Sequence, residues 1–171
     1  MSRAFVKESD DPSVEVPERQ QSPHPNYVTL RGLAALQQQL AELEASLSAM
    51  GMPNSGAANG ELVDRQARAI VERDLRYVRE RLRRAIPIDP AKQPHDKVAF
   101  GAVVETLDDA DKKRCFEIVG EDEADPAAGR LSWVSPLALA LTDASVGDVV
   151  TWKRPAGDLD LEITGITYRR A

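Results

Sequence analysis

Two apolar seams with heptad spacing, held apart by the breaker-rich segment MGMPNSGAANG, set the tightest limit on how this chain folds. In the first, Leu33, Leu36, Leu40, Leu43, Leu47 and Met50 recur in alternating steps of three and four, the pattern of a helix that packs along a partner helix. Thr29 precedes the run as a favourable N-cap, so the spacing predicts a helix from there to about Ala49. Gly, Pro, Ser and Asn between Gly51 and Gly60 then stop it. The second seam, Val71, Leu75, Val78, Leu82 and Ala85, belongs to a helix predicted from about Glu61 to Ala85 and closed by Pro87 and Pro90. Two such helices joined by one turn form an antiparallel hairpin. At roughly 1.5 Å per residue, 20 residues make a finger on the order of 30 Å long. Its apolar surface is too small to stand alone, so it has to be rooted on the rest of the chain.

Continuing the second seam toward the turn gives Arg68, Asp64 and Glu61, so the seam becomes polar at its far end. Glu61 and Asp64, three residues apart, share one helical face. Two readings suit them: an acidic helix start favoured by the helix dipole, or a pair of hard oxygen donors for a metal ion. The formal net charge of −6 argues against a general nucleic-acid binder. Charge is unevenly spread, with eight Arg against four Asp/Glu between Arg65 and Pro90, and fifteen Asp/Glu against nine Lys/Arg from His95 onward. A basic helix is thus joined to an acidic domain.

From Lys97 onward the pattern changes to short strand-like runs: KVAFGAVVETL, RCFEIVG, RLSWVS, DVVTWKRP and LDLEITGITY, separated by turn formers. Between the third and fourth lies PLALALTDASVGD, which suits a short buried helix. The expected fold is α+β: an N-terminal antiparallel helical hairpin, of coiled-coil type, plus a small antiparallel sheet packed on one short helix. The divisions are a flexible tail over 1–26, which carries four prolines, a hairpin over 27–90 with its tip near 51–64, and a C-terminal domain over 91–171. Trp133 and Trp152 are expected in the core, and the single cysteine, Cys115, as a small packed residue. His24 and His95 are solitary, and no Cys/His cluster has zinc spacing. With no signal-like start and no run of about 18 apolar residues, a cytoplasmic protein is expected.

Several blocks resemble the bacterial Gre transcript-cleavage factors, the GreA/GreB family. YVTLRGLAALQQQL at Tyr27 to Leu40 resembles the start of the family's first helix, and RDLRYV, with Arg73, Arg76 and Tyr77, a stretch of its second. KVAFGAVVETL, IVGEDEAD, WVSPLALAL and VGDVVTWKRPAG resemble, in order, successive blocks of the C-terminal domain. The resemblance implies an FKBP-like C-terminal domain that docks on the rim of the secondary channel of RNA polymerase through Asp122, Glu123, Ser135 and Pro136. It implies a hairpin that enters the channel, with Glu61 and Asp64 sharing Mg²⁺ with the polymerase to promote cleavage of backtracked RNA, and Arg68, Arg73 and Arg76 facing the nascent RNA 3′ end. Such a protein acts as a monomer and is no enzyme by itself.

The tip departs from the family pattern. Glu61 stands where the family has Asp, Asp64 where it has Glu, and Arg65 replaces the following Asn. The second helix is about one heptad shorter than the family's, and the turn is longer. An alternative implied by the altered tip is a Gre-like regulator that binds the channel without promoting cleavage.

Overall fold

The computed structural model describes residues 16–50 and 58–169. The first fifteen residues of the predicted tail and residues 51–57 of the turn predicted over 51–60 lie outside the described residues.

The hairpin forms as its seams predict. Helix α1, Leu30–Ala49, starts at the Thr29 cap, where the Thr29 hydroxyl accepts from the Gly32 N–H at 3.0 Å. Helix α2, Ala58–Arg83, begins three residues earlier than the acidic pair suggested. Leu36, Leu75 and Val78 are buried between the helices, with Leu33, Leu40, Leu43 and Leu82 half-buried beside them. Met50, the last residue of the first seam, is exposed. Arg79 and Glu44 pair across the hairpin at 2.9 Å.

A two-stranded parallel pairing that the sequence pattern did not reveal ties the two ends of the hairpin together. Strand β1, Asn26–Val28, lies beside β2, Ala85–Pro87. Three residues are too few to display a period-two pattern. Asn26 is buried and donates its side-chain amide to the Arg81 carbonyl at 2.7 Å. Residues 16–26, expected as the end of the tail, are thus in contact with the rest of the chain. Polar side chains there find partners on α2 and on the C-terminal domain, which composition alone does not foretell.

The C-terminal part is a curled five-stranded sheet, β3 Ala102–Asp108, β4 Lys113–Val119, β5 Arg130–Ser132, β6 Val149–Trp152 and β7 Leu159–Tyr168, with the order β5-β4-β3-β7-β6. Helix α3, Pro136–Leu141, packs on it, and a register shift at Glu105/Thr106 marks a bulge between β3 and β7. All pairings are antiparallel except β4 with β5, so the antiparallel sheet of the sequence reading becomes a mixed one. The cause is the connection after Val119, which makes two short turns, Glu121–Glu123 and Pro126–Ala128, and brings β5 back in the direction of β4. Val98, Val104, Phe116, Ile118, Leu137, Leu141, Leu161 and Ile163 form the core. Trp133 and Trp152 flank it, as expected. Cys115 is exposed rather than packed, because strand alternation turns Phe116 and Ile118 inward and leaves Cys115 opposite the exposed Glu105. No described helix is long and apolar enough to cross a membrane.

Candidate functional site

The segment Gly120–Glu123 grips the root of the hairpin with three successive carboxylates. Glu123 reaches the N-terminus of α1: its carboxylate accepts from the Thr29 N–H at 3.0 Å, from the Thr29 hydroxyl, and from the Gly120 N–H at 3.1 Å. An anion there is favoured by the unsatisfied N–H groups and dipole of the first turn. Gly32 makes the approach possible, since a Cβ on it would stand 2.1 Å from Glu123 Cδ. Gly120 is needed for a similar reason, because a Cβ there would meet the Tyr27 carbonyl oxygen at 2.5 Å.

Asp122 faces α2. It accepts from Arg81 Nε at 2.6 Å and from the Tyr77 hydroxyl at 3.1 Å. Burial first, then the Asp122 charge, push the Tyr77 hydroxyl above its ordinary pKa, so it stays a donor. Glu121 accepts from Ser22 at 2.9 Å and stands 3.8 Å from Arg81 Nη2. Arg81 is 1% exposed, and its Nη1 and Nη2 find no hydrogen-bond partner among the described residues. This cation was missed in the sequence. The available signal was its place three residues after the seam position Val78, facing the core, with an acidic run elsewhere in the chain to neutralise it.

Asp122 and Glu123, two of the four residues expected near the polymerase rim, direct carboxylate oxygens to Thr29, Tyr77 and Arg81 of the hairpin. The other two expected docking residues start α3. The Ser135 hydroxyl accepts from the Ala138 N–H at 3.3 Å, while Pro136 is exposed at the first helical position and Leu139 is 58% exposed one turn on.

The far end of α2 carries the acidic pair. Asp64 is exposed; Glu61 lies on the same helix one turn earlier, with its side chain outside the described part. Carboxylate oxygens suit Mg²⁺ in kind, but two of them fall short of its six ligands. No group of three or more His, Cys, Asp or Glu among the described residues forms a metal cluster. Two carboxylates with water filling the remaining positions make at most a partial Mg²⁺ site. Of the three arginines expected to face RNA, Arg68 pairs with Glu72 at 2.9 Å, Arg73 with Asp74 at 2.8 Å, and Arg76 with Glu18.

The described residues thus form a helical finger clamped at its root to a small curled-sheet domain, with Asp64 exposed toward the far end. The family described as transcription elongation factor, GreA/GreB, C-terminal, matches residues 93–168. The chain is 33% identical over 153 residues to transcription elongation factor GreB of Neisseria meningitidis serogroup B, covering 84% of this chain and 94% of that protein. It is 34% identical over 151 residues to transcription elongation factor GreA of Methylobacterium nodulans, covering 82% and 96%. The chain belongs to the GreA/GreB family of transcription elongation factors. A solved GreA/GreB structure from Nitrosomonas europaea overlays at a TM-score of 0.41 with 20% identity, covering 84% of this chain and 99% of that one. The assignment rests on the sequence relatives.

Proposed function

We propose that the protein binds RNA polymerase at the secondary channel as a cytoplasmic monomer and stimulates cleavage of backtracked RNA. The observation that carries this is family membership across most of the chain, combined with an exposed Asp64 one helical turn from Glu61 at the end of α2 farthest from its root. In this reading α3 docks on the channel rim through Ser135, Pro136 and the neighbouring Leu139. Asp122 and Glu123 act one step back, holding the hairpin on the domain that docks. The hairpin extends into the channel, where Glu61 and Asp64 complete a Mg²⁺ site with polymerase carboxylates. When bound, the ion supplies Lewis-acid stabilisation of charge developing on a phosphodiester. The chain's own contribution is to position two carboxylates.

One observation favours a second reading, a channel-binding regulator without cleavage: Arg68, Arg73 and Arg76 each already hold a carboxylate, which weakens an RNA-facing role for α2. Halted, backtracked elongation complexes incubated with the protein and Mg²⁺ separate the two. Shortening of the RNA from its 3′ end is the expected result. Intact RNA with the protein bound to polymerase would support the regulator instead.

A further inference from the structure

Residues 16–25 run from α2 onto the C-terminal domain. Glu18 pairs with Arg76 through both Nε, at 3.1 Å, and Nη2. Arg19 stands 3.6 Å from Asp74 and lies 3.9 Å over the Tyr77 ring. Gln21 donates to the Tyr77 carbonyl at 3.2 Å, and Arg84 donates to the Ser22 and His24 carbonyls at 3.0 and 3.1 Å. Ser22 donates to Glu121, and the His24 ring meets Trp133 edge-on at 6.0 Å. One strand of chain thus touches both the finger and its platform.

Its two ends are held very differently. At the inner end Asn26 is buried, and the β1–β2 pairing fixes the backbone. At the outer end the Glu18 and Arg76 side chains are 63% and 57% exposed, and such pairs are worth about 0–1 kcal/mol. Gln21 Oε1 is buried with no hydrogen-bond partner among the described residues, which further weakens the middle. The segment is therefore anchored at Asn26 and weakly held at Glu18.

What it covers is selective. Arg68 and Arg73 pair with carboxylates of α2 itself, whereas the carboxylate on Arg76 arrives from this segment. We infer that residues 16–25 form an autoinhibitory strap in which Glu18 occupies Arg76 in place of an RNA phosphate, so that single-stranded RNA and the strap compete for the same guanidinium. The RNA half of this statement rests on the proposed RNA-facing role of α2. Release of the strap adds one phosphate contact and uncovers Tyr77.

The test uses the full chain in a Trp152→Phe background, so that Trp133, which the strap touches through His24, is the reporter. A 12-nucleotide single-stranded RNA is titrated at several salt concentrations into the protein, its Glu18→Gln variant, and Glu18→Gln/Arg76→Gln. Glu18→Gln should shift Trp133 emission, tighten RNA binding by about fivefold, and steepen the salt dependence by about 0.7 in log–log slope, the value for one more phosphate on a single strand. Adding Arg76→Gln should remove the gain in affinity and leave the emission shift. An RNA affinity for Glu18→Gln within twofold of the parent overturns the masking, and unchanged emission overturns the strap. Either failure is separable from the proposed function, because RNA shortening in backtracked complexes is scored independently with the parent protein.

Discussion

Arg81 Nε and the Asp122 carboxylate meet at 2.6 Å across the junction of hairpin and C-terminal domain, with the guanidinium 1% exposed. A buried cation requires a partner, and this one draws Asp122, then Glu121 at 3.8 Å, onto the hairpin root. Glu123 completes the grip at the start of α1. The junction thus fixes the direction in which the finger leaves the domain.

Replacing Asp122 by Ala removes the hydrogen-bonded carboxylate of Arg81 and leaves it only Glu121, at 3.8 Å, among the described residues. Stability should fall toward the lower end of roughly 3–5 kcal/mol, because Asp122 retains some solvent contact. Urea unfolding measures it. The double variant Asp122→Ala/Arg81→Leu should recover much of the loss, and equal losses in single and double variants would show that the pair is not the source.

Gly32→Ala tests the seat of Glu123 by the sign of its effect. Alanine gains up to about 1 kcal/mol of helix propensity, but its methyl displaces a charged acceptor whose hydrogen bonds are worth roughly 1.5–3 kcal/mol. The net expectation is a loss of about 1 kcal/mol in the unfolding midpoint analysis. In a Glu123→Ala background the same change should stabilise. A destabilisation in both backgrounds points to another clash.

Both helices of the hairpin were legible because the Leu33-to-Leu47 and Val71-to-Leu82 seams display heptad spacing within one segment. The five strands were legible for the same local reason. The parallel turn of β5, the β1–β2 pairing and the inward rotation of Asp122 and Glu123 were not. Each depends on contacts between residues about 40 to 100 positions apart or on the path of a loop, and no local periodicity encodes them. An acidic loop reads as solvated until the buried Arg81 is found.

Asp108 supplies a pH signature. Its carboxylate accepts from the Lys112 N–H at 2.9 Å, the Ala110 N–H at 3.0 Å and Arg114 at 3.3 Å, which holds its pKa below the ordinary value, led by the Lys112 bond. A depressed folded pKa gives stability that is fully present above the unfolded value near about 4 and lost as pH falls through the folded one. Asp108→Asn should therefore unfold more easily at neutral pH, with the gap to the parent closing as pH drops below about 4. A gap that persists in acid would mean the charge is not responsible.

Pro136 allows docking to be tested without touching the junction. Pro136→Glu introduces an acidic residue at the start of α3, where the helix end tolerates it, and leaves Ser135 as the cap. Polymerase affinity should fall by about tenfold, the equivalent of roughly 1.4 kcal/mol, with the melting temperature unchanged. Unchanged affinity would move the docking face elsewhere. Substitution of Asp122 cannot serve here, since it also releases Arg81.

The most direct test of the account compares the parent protein with Glu61→Ala/Asp64→Ala in backtracked elongation complexes, reading the rate of RNA shortening at fixed Mg²⁺ and at saturating protein. The parent should shorten the RNA, and the variant should bind polymerase equally well while shortening it at least about 10²-fold more slowly, the cost of losing positioned groups. Equal rates for the two proteins would contradict the account.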